Sequence, residues 1–228
     1  MKRIVLSILL LLPLLSYGQD PVPEANYAPT PKKILTGFSG GMTLHIGYAF
    51  SSNPIEMFRL LNAEGNEYIK SLPKDGVNFG LGGQLRLHLV DHIHLGGEGY
   101  VSMMPLAGQS SIRTGWGGLF ADGYLTIGRV RPLLGLGIGG GSMNRLFVPA
   151  SLEEVAHWSD SLAVNASFTK TGFFYLDPYV GLEILLGAKK NKALLIRIDY
   201  QLPFDHGFVT PSGPRLYIGL MFGKQKNS

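Results

Sequence analysis

The sequence predicts an all-β fold, an eight-stranded antiparallel up-and-down transmembrane β-barrel, on three observations. Apolar residues recur with a period of two through segments of roughly ten to fourteen residues. Glycine supplies 31 of the 228 residues and sits inside those segments rather than in linkers. The connections between segments alternate strictly between short and long.

The chain opens with Lys2 and Arg3, an apolar run from Ile4 to Leu15, and Ser16-Tyr17-Gly18, which together predict a signal peptide over residues 1–18. The run is too short for a bilayer-spanning helix, which needs about 20 apolar residues. Residues 19–34 carry Pro21, Pro23, Pro29 and Pro31 and read as an extended, Pro-rich lead-in. The absence of Cys excludes disulfides, thiolate metal sites, thiol nucleophiles and an acylated N-terminal Cys. The formal charge of +4 includes Lys2 and Arg3, and the small remainder gives no sign of nucleic-acid binding.

Eight strands are expected from residue 35 to residue 223: about Leu35–Ala49, Gly76–Val90, Ile93–Met104, Trp116–Gly128, Pro132–Met143, Gly172–Gly187, Ala193–Leu202 and Pro214–Gly223, followed by a tail, 224–228. In the seventh, Leu194, Ile196, Ile198, Tyr200 and Leu202 share one face, and Arg197, Asp199 and Gln201 the other. The sixth sets Phe174, Leu176, Val180, Leu182, Ile184 and Leu186 against Tyr175, Asp177, Tyr179, Gly181 and Glu183. The second opposes Val77, Phe79, Leu81, Leu85, Leu87 and Leu89 to Asn78, Gln84, Arg86 and His88. Repeated glycine in such strands fits a small barrel whose interior is too tight for side chains everywhere.

This alternation fits a soluble barrel with its apolar face inward or a membrane barrel with that face toward lipid. The connections favour the second. Asp91-His92, Arg129 to Arg131 and Ala188 to Lys192 are short, whereas Ser51 to Asp75 and Asn144 to Thr171 are long, so turns gather at one end and loops at the other. Tyr48, Phe79, Phe174 and Tyr200 fall near the loop-side ends and Phe222 near the turn side, as a pair of aromatic girdles would. Trp116 has the wrong parity for this register, which calls for a bulge or a shifted assignment.

The pattern from Leu35 to Gly223, with the final strand Leu216-Tyr217-Ile218-Gly219-Leu220-Met221-Phe222, resembles the small OmpA/OmpX-type outer-membrane barrels, of the kind common in Bacteroidota. The resemblance implies the outer membrane of a Gram-negative bacterium, contact with outer-membrane lipids, periplasmic termini, and an aromatic-ended last strand read by the barrel-assembly machinery. It implies location and fold, and little about activity.

On the polar face stand His45, Gln84, Arg86, His88, His94, Glu98, Asp122, Asp177, Glu183, Arg197 and Asp199. An eight-stranded interior is only wide enough for side chains to fill, so Arg86, Glu98, Asp122, Asp177, Glu183, Arg197 and Asp199 are expected to satisfy one another. If Leu186 lies opposite Leu194, Glu183 faces Arg197, and Arg86 and Glu98 flank the Asp91-His92 turn as a second pair. His88, His92 and His94 form a weak alternative metal set without a fourth ligand. His157, Ser159 and Asp160 are the one catalytic alternative, for an outer-leaflet lipid hydrolase or acyltransferase. Gly135 to Gly141 reads as a wall stripe and not a phosphate loop, because no helix follows.

Asn53-Pro54-Ile55-Glu56 and Ser151-x-x-Glu154 predict a short amphipathic helix in each long loop, as a lid or as a surface for an unknown extracellular or envelope partner through 51–75 and 144–171. Porin activity is disfavoured by strand number. The sequence therefore reads as a non-enzymatic envelope or loop-display barrel with no cofactor. The lipid-modifying enzyme and a soluble periplasmic lipid-binding barrel stand as alternatives.

Overall fold

The computed structural model describes residues 34–50, 55–61, 67–72, 75–89, 92–106, 109–148, 167–188, 190–204 and 212–225. The expected signal peptide, and the lead-in up to residue 33, lie outside them. Ten strands are described: β1 (Leu35–Phe50), β2 (Ile55–Leu61), β3 (Glu67–Leu72), β4 (Asp75–Leu89), β5 (Ile93–Pro105), β6 (Ser111–Tyr124), β7 (Val130–Phe147), β8 (Ser167–Leu186), β9 (Lys192–Phe204) and β10 (Gly213–Gln225). Eight of them close a barrel in the order β1-β10-β9-β8-β7-β6-β5-β4, every neighbour antiparallel. Closure leaves β1 paired on both sides, so the sheet has no open edge.

β2 and β3 form a separate antiparallel hairpin within the connection from β1 to β4, from Ile55↔Leu72 to Leu61↔Glu67. This corrects the helix expected after Asn53-Pro54. A cap and an N1 proline are local preferences of about a kilocalorie, and backbone pairing with a Tyr- and Ile-bearing partner strand overrides them. The capping box at Ser151 lies outside the described residues.

The walls are also taller than expected. β7 and β8 pair from Val130↔Ile184 to Phe147↔Ser167, so both ends of the expected 144–171 loop belong to the barrel. β6 begins at Ser111, five residues before the expected start. Trp116 needs no bulge, because the β5–β6 and β6–β7 ladders run without a register shift and carry it into the lumen with the other even-numbered residues of β6. At the short-turn end, Ile127 and Val130 exchange both backbone hydrogen bonds across Gly128-Arg129. Gly128 takes a φ of 65°, which a side chain would resist.

The barrel is inside out relative to a soluble domain. Leu44, Leu85, Leu134 and Ile138 face outward, Leu85 with 72% of its surface exposed, whereas Arg86 and Arg197 are each 1% exposed in the lumen. This excludes the arrangement that a soluble barrel with an apolar interior requires.

Glycines make room for that lumen. Along β7, Gly135, Gly137, Gly139 and Gly141 lie directly opposite Tyr179, Asp177, Tyr175 and Phe173 of β8. A Cβ at Gly135 would fall on the Tyr179 ring, and one at Gly139 would come within 2.7 Å of the Tyr175 hydroxyl. Gly82 opposite Tyr100, Gly96 opposite Phe120 and Gly181 opposite Leu133 repeat the device on other strand pairs. Gly135→Val is therefore expected to destabilise the barrel by at least about 1–3 kcal/mol through overpacking. Gly97→Ala, whose new methyl group would meet only the Gly118 carbonyl at 3.6 Å, should leave stability within about 0.5 kcal/mol or slightly raise it. Urea unfolding of the detergent-folded protein measures both.

Candidate functional site in the lumen

Six strands send charged side chains to the middle of the lumen. Arg197 of β9 donates through Nη1 to Glu98 Oε2 of β5 at 2.5 Å, and through Nη2 to Asp177 Oδ2 of β8 at 2.9 Å and Asp199 Oδ2 at 3.1 Å. Arg215 of β10 donates through Nε to Asp199 Oδ1 at 2.9 Å and through Nη2 to Asp177 Oδ1 at 3.0 Å. Arg86 of β4 pairs with Glu183 of β8 and lies 3.9 Å from Asp122 of β6. The guanidinium of Arg197 also sits 4.0 Å from the centroid of the Tyr179 ring, and that of Arg215 4.7 Å from Trp116. With water excluded, each charge depends on its partners, and removal of one leaves the others uncompensated.

The expected lumen residues Arg86, Glu98, Asp122, Asp177, Glu183, Arg197 and Asp199 are all buried together, but the partners differ from those expected. Glu183 meets Arg86, and Glu98 meets Arg197. In the β8–β9 ladder Ile184, not Leu186, lies opposite Leu194, so Glu183 faces Leu195 and Arg197 faces Gly181. The lumen is narrow enough for long side chains to span it, and pairing across the barrel replaces pairing along the wall. Arg215 was missed, although its parity with Tyr217 and Gly219 on β10 was available as a signal.

Toward the turn side a line of hydrogen bonds runs from Ser39 to Asp122. Ser39 Oγ lies 2.9 Å from His88 Nε2, His88 Nδ1 lies 3.1 Å from His94 Nε2, and His94 Nδ1 lies 2.6 Å from Asp122 Oδ1. Tyr179 donates its hydroxyl to the other oxygen of Asp122 at 2.9 Å. One assignment satisfies the line with both imidazoles neutral, each N–H donating toward the carboxylate and the Ser39 hydroxyl donating to His88. Tyr124 stacks on His94 at 4.2 Å between centroids. His92 stands apart, exposed in the turn with a φ of 85°, so the three histidines do not converge. Among the described residues no group of three potential ligands is placed to hold a metal.

The loop-side third is aromatic. His45 lies among Tyr100, Trp116 and Tyr217 with ring centroids 5.2–5.8 Å away. Above it a cavity of about 30 Å³ is lined by residues that include Asn78, Trp116, Gln201 and Arg215. Outside the barrel, Tyr48, Phe79, Phe174 and Phe222 are exposed at their expected ends, and Tyr200 is half-buried beside Phe50. His157, Ser159 and Asp160 lie outside the described residues.

Double-mutant cycles test the exchanged partners. Arg86→Met with Glu183→Leu should show a coupling of roughly 0.5–3 kcal/mol in urea unfolding, clearly above that of Arg86→Met with Glu98→Leu. Arg197→Met alone should cost about 3–5 kcal/mol, because three carboxylates lose their shared cation.

No family model and no curated protein sequence matches the chain. Solved structures do. Neisserial surface protein A aligns with a TM-score of 0.55 at 11% identity, over 84% of this chain and 99% of its own. Outer membrane protein OprG from Pseudomonas aeruginosa aligns with a TM-score of 0.54 at 13% identity, over 85% of this chain and 98% of its own. The chain thus has the closed eight-stranded fold of the small outer-membrane β-barrels.

Proposed function

We propose that this chain is an integral outer-membrane protein of a Gram-negative bacterium, without catalytic activity, that serves as an envelope or surface-loop display protein. The observation that carries the reading is the inverted distribution of its side chains. An apolar belt of Leu, Ile, Val and Phe covers the outside, and buried ion pairs fill the inside. Only a hydrocarbon surrounding makes that distribution favourable, and closure satisfies the backbone groups that lipid cannot. The structural likeness to two proteins with small envelope barrels supports the same reading.

The buried layer of Arg86, Arg197 and Arg215 with their carboxylates fills the middle of the lumen, which favours a role other than passive diffusion. What remains available to a partner is the loop side. A strand of about 9–11 residues crosses a bilayer. β7 and β8, with 18 and 20 residues, exceed that and extend the wall beyond the membrane. The β2–β3 hairpin lies in the connection at the same end. The segments 51–75 and 144–171 are the surface through which an extracellular or envelope partner would be met, and β10, which carries Phe222 near its end, is the segment offered to the barrel-assembly machinery.

The mature protein is expected in the outer-membrane fraction, and should migrate faster on a denaturing gel when unheated than when boiled. Recovery from the periplasm without detergent, with one mobility under both treatments, would contradict the assignment.

A further inference from the structure

Exposed charge at the turn end of the barrel has one sign among the described residues. Arg129 in the β6–β7 turn and Lys190 and Lys192 at the β8–β9 turn are exposed, and no ion pair with a described residue engages them. Asp122 and Glu183, the acids of the adjoining strand ends, are each 3% exposed and are engaged inside the lumen by His94 and Arg86. Arg131 is used within the β6–β7 turn. Its Nε donates to Thr126 Oγ1 at 3.2 Å, and its guanidinium lies 5.1 Å from the centroid of the Tyr124 ring.

The backbone sets the exposed cations along one stretch of the rim. Leu185 N donates to the Arg129 carbonyl at 2.8 Å, which seats the β6–β7 turn against the end of β8. Leu186 lies opposite Lys192 in the β8–β9 ladder, and Lys192 lies opposite Phe222 in the β9–β10 ladder. Arg129 and Lys192 therefore stand two interstrand spacings apart, roughly 10 Å, and Lys190 shares the turn beside Lys192. The same stretch is apolar between its charges. Leu186 and Phe222 flank Lys192, and the β6–β7 turn bears Leu125 and Ile127, which expose 63% and 67% of their surfaces.

In bulk water this combination is unfavourable, because large aliphatic side chains stay wetted and like charges repel with no carboxylate beside them. At a lipid boundary both features become favourable: the aliphatic residues enter the acyl region and the cations meet phosphate. A zwitterionic headgroup offsets its phosphate with its own amine, whereas an anionic headgroup leaves the phosphate to arginine and lysine. We infer that this stretch of the rim is a binding site for an anionic phospholipid of the adjoining leaflet, its phosphate held by Arg129, Lys190 and Lys192 and its acyl chains lying against Leu186 and Phe222. The inference rests on the membrane reading above and deepens it, at the end opposite the loops.

The chain has no Cys, so Ile218→Cys, exposed on β10 two outward positions from Phe222, carries a single fluorophore within the apolar belt. The labelled protein is folded into phosphatidylcholine vesicles that contain a minority of phosphatidylglycerol, with brominated chains on either lipid in turn, and its folding is checked by the heat-dependent gel shift. Quenching by the brominated lipid reads how often each lipid occupies that face. Phosphatidylglycerol should be preferred about fivefold or more at low salt, the value of one cation near an anionic headgroup. The preference should vanish in Arg129→Gln with Lys190→Gln and Lys192→Gln, and should survive Arg113→Gln with Lys170→Gln, which removes exposed cations from the loop end. Equal affinity for the two lipids before any charge is removed, a preference that persists in the triple variant, or one lost equally with the loop-end pair would overturn the inference and leave the membrane reading standing. Quenching by neither lipid would overturn both.

Discussion

A guanidinium at the centre of an eight-stranded barrel has no bulk water to solvate it, and the rest of this structure depends on how Arg197 is held. Glu98, Asp177 and Asp199 reach it from three strands, and Tyr179 covers its face. Two of those carboxylates also hold Arg215, so the pairs form one cluster rather than separate bridges. Long side chains can meet in so small a space only if the wall beside them is thin. The glycines of β7, directly opposite the ring-bearing positions of β8, supply that thinness.

From this constraint the layering follows. The ionic cluster occupies the middle, where the barrel is farthest from water at either end. The Ser39–His88–His94–Asp122 line packs the turn side with mutually hydrogen-bonded groups. The loop side keeps aromatic rings, unpaired donors and the one cavity described above. Polar side chains turned inward leave the apolar residues of every strand turned outward, since successive side chains alternate. The apolar belt on the outside and the cluster that fills the lumen are two results of one period.

Much of this was legible because a period of two is a strong signal in β4, β8 and β9, where leucines, isoleucines and valines alternate with charges. The buried set followed from the same parity, and so did the glycine stripe. Partner choice was not legible. A ladder register shifted by two residues preserves every face, so nothing in the pattern of β8 and β9 distinguishes Leu186 from Ile184 opposite Leu194. Reach across the lumen then joined Glu183 to Arg86 instead of to its neighbouring strand. The hairpin of β2 and β3 was hidden for another reason. Its first strand begins with residues that cap a helix well, and only the pairing of Ile55–Leu61 with Glu67–Leu72 reveals the strand. Arg215 escaped notice because no acidic residue accompanies it on β10 and the residues that follow it, up to Gly223, are apolar or glycine.

The central claim is that lipid surrounds the apolar face and that the charged face is sealed inside. The chain has no Cys, so single cysteines can be placed at will and spin-labelled in bilayers. The most direct measurement is the accessibility of labels along β10 to oxygen, which partitions into lipid, and to a water-soluble nickel chelate. Labels at Leu216, Ile218 and Leu220 should be open to oxygen and closed to the chelate, and a label at Met221 immobile and closed to both. Uniform exposure to the chelate, or an alternation of the opposite phase, would contradict the account.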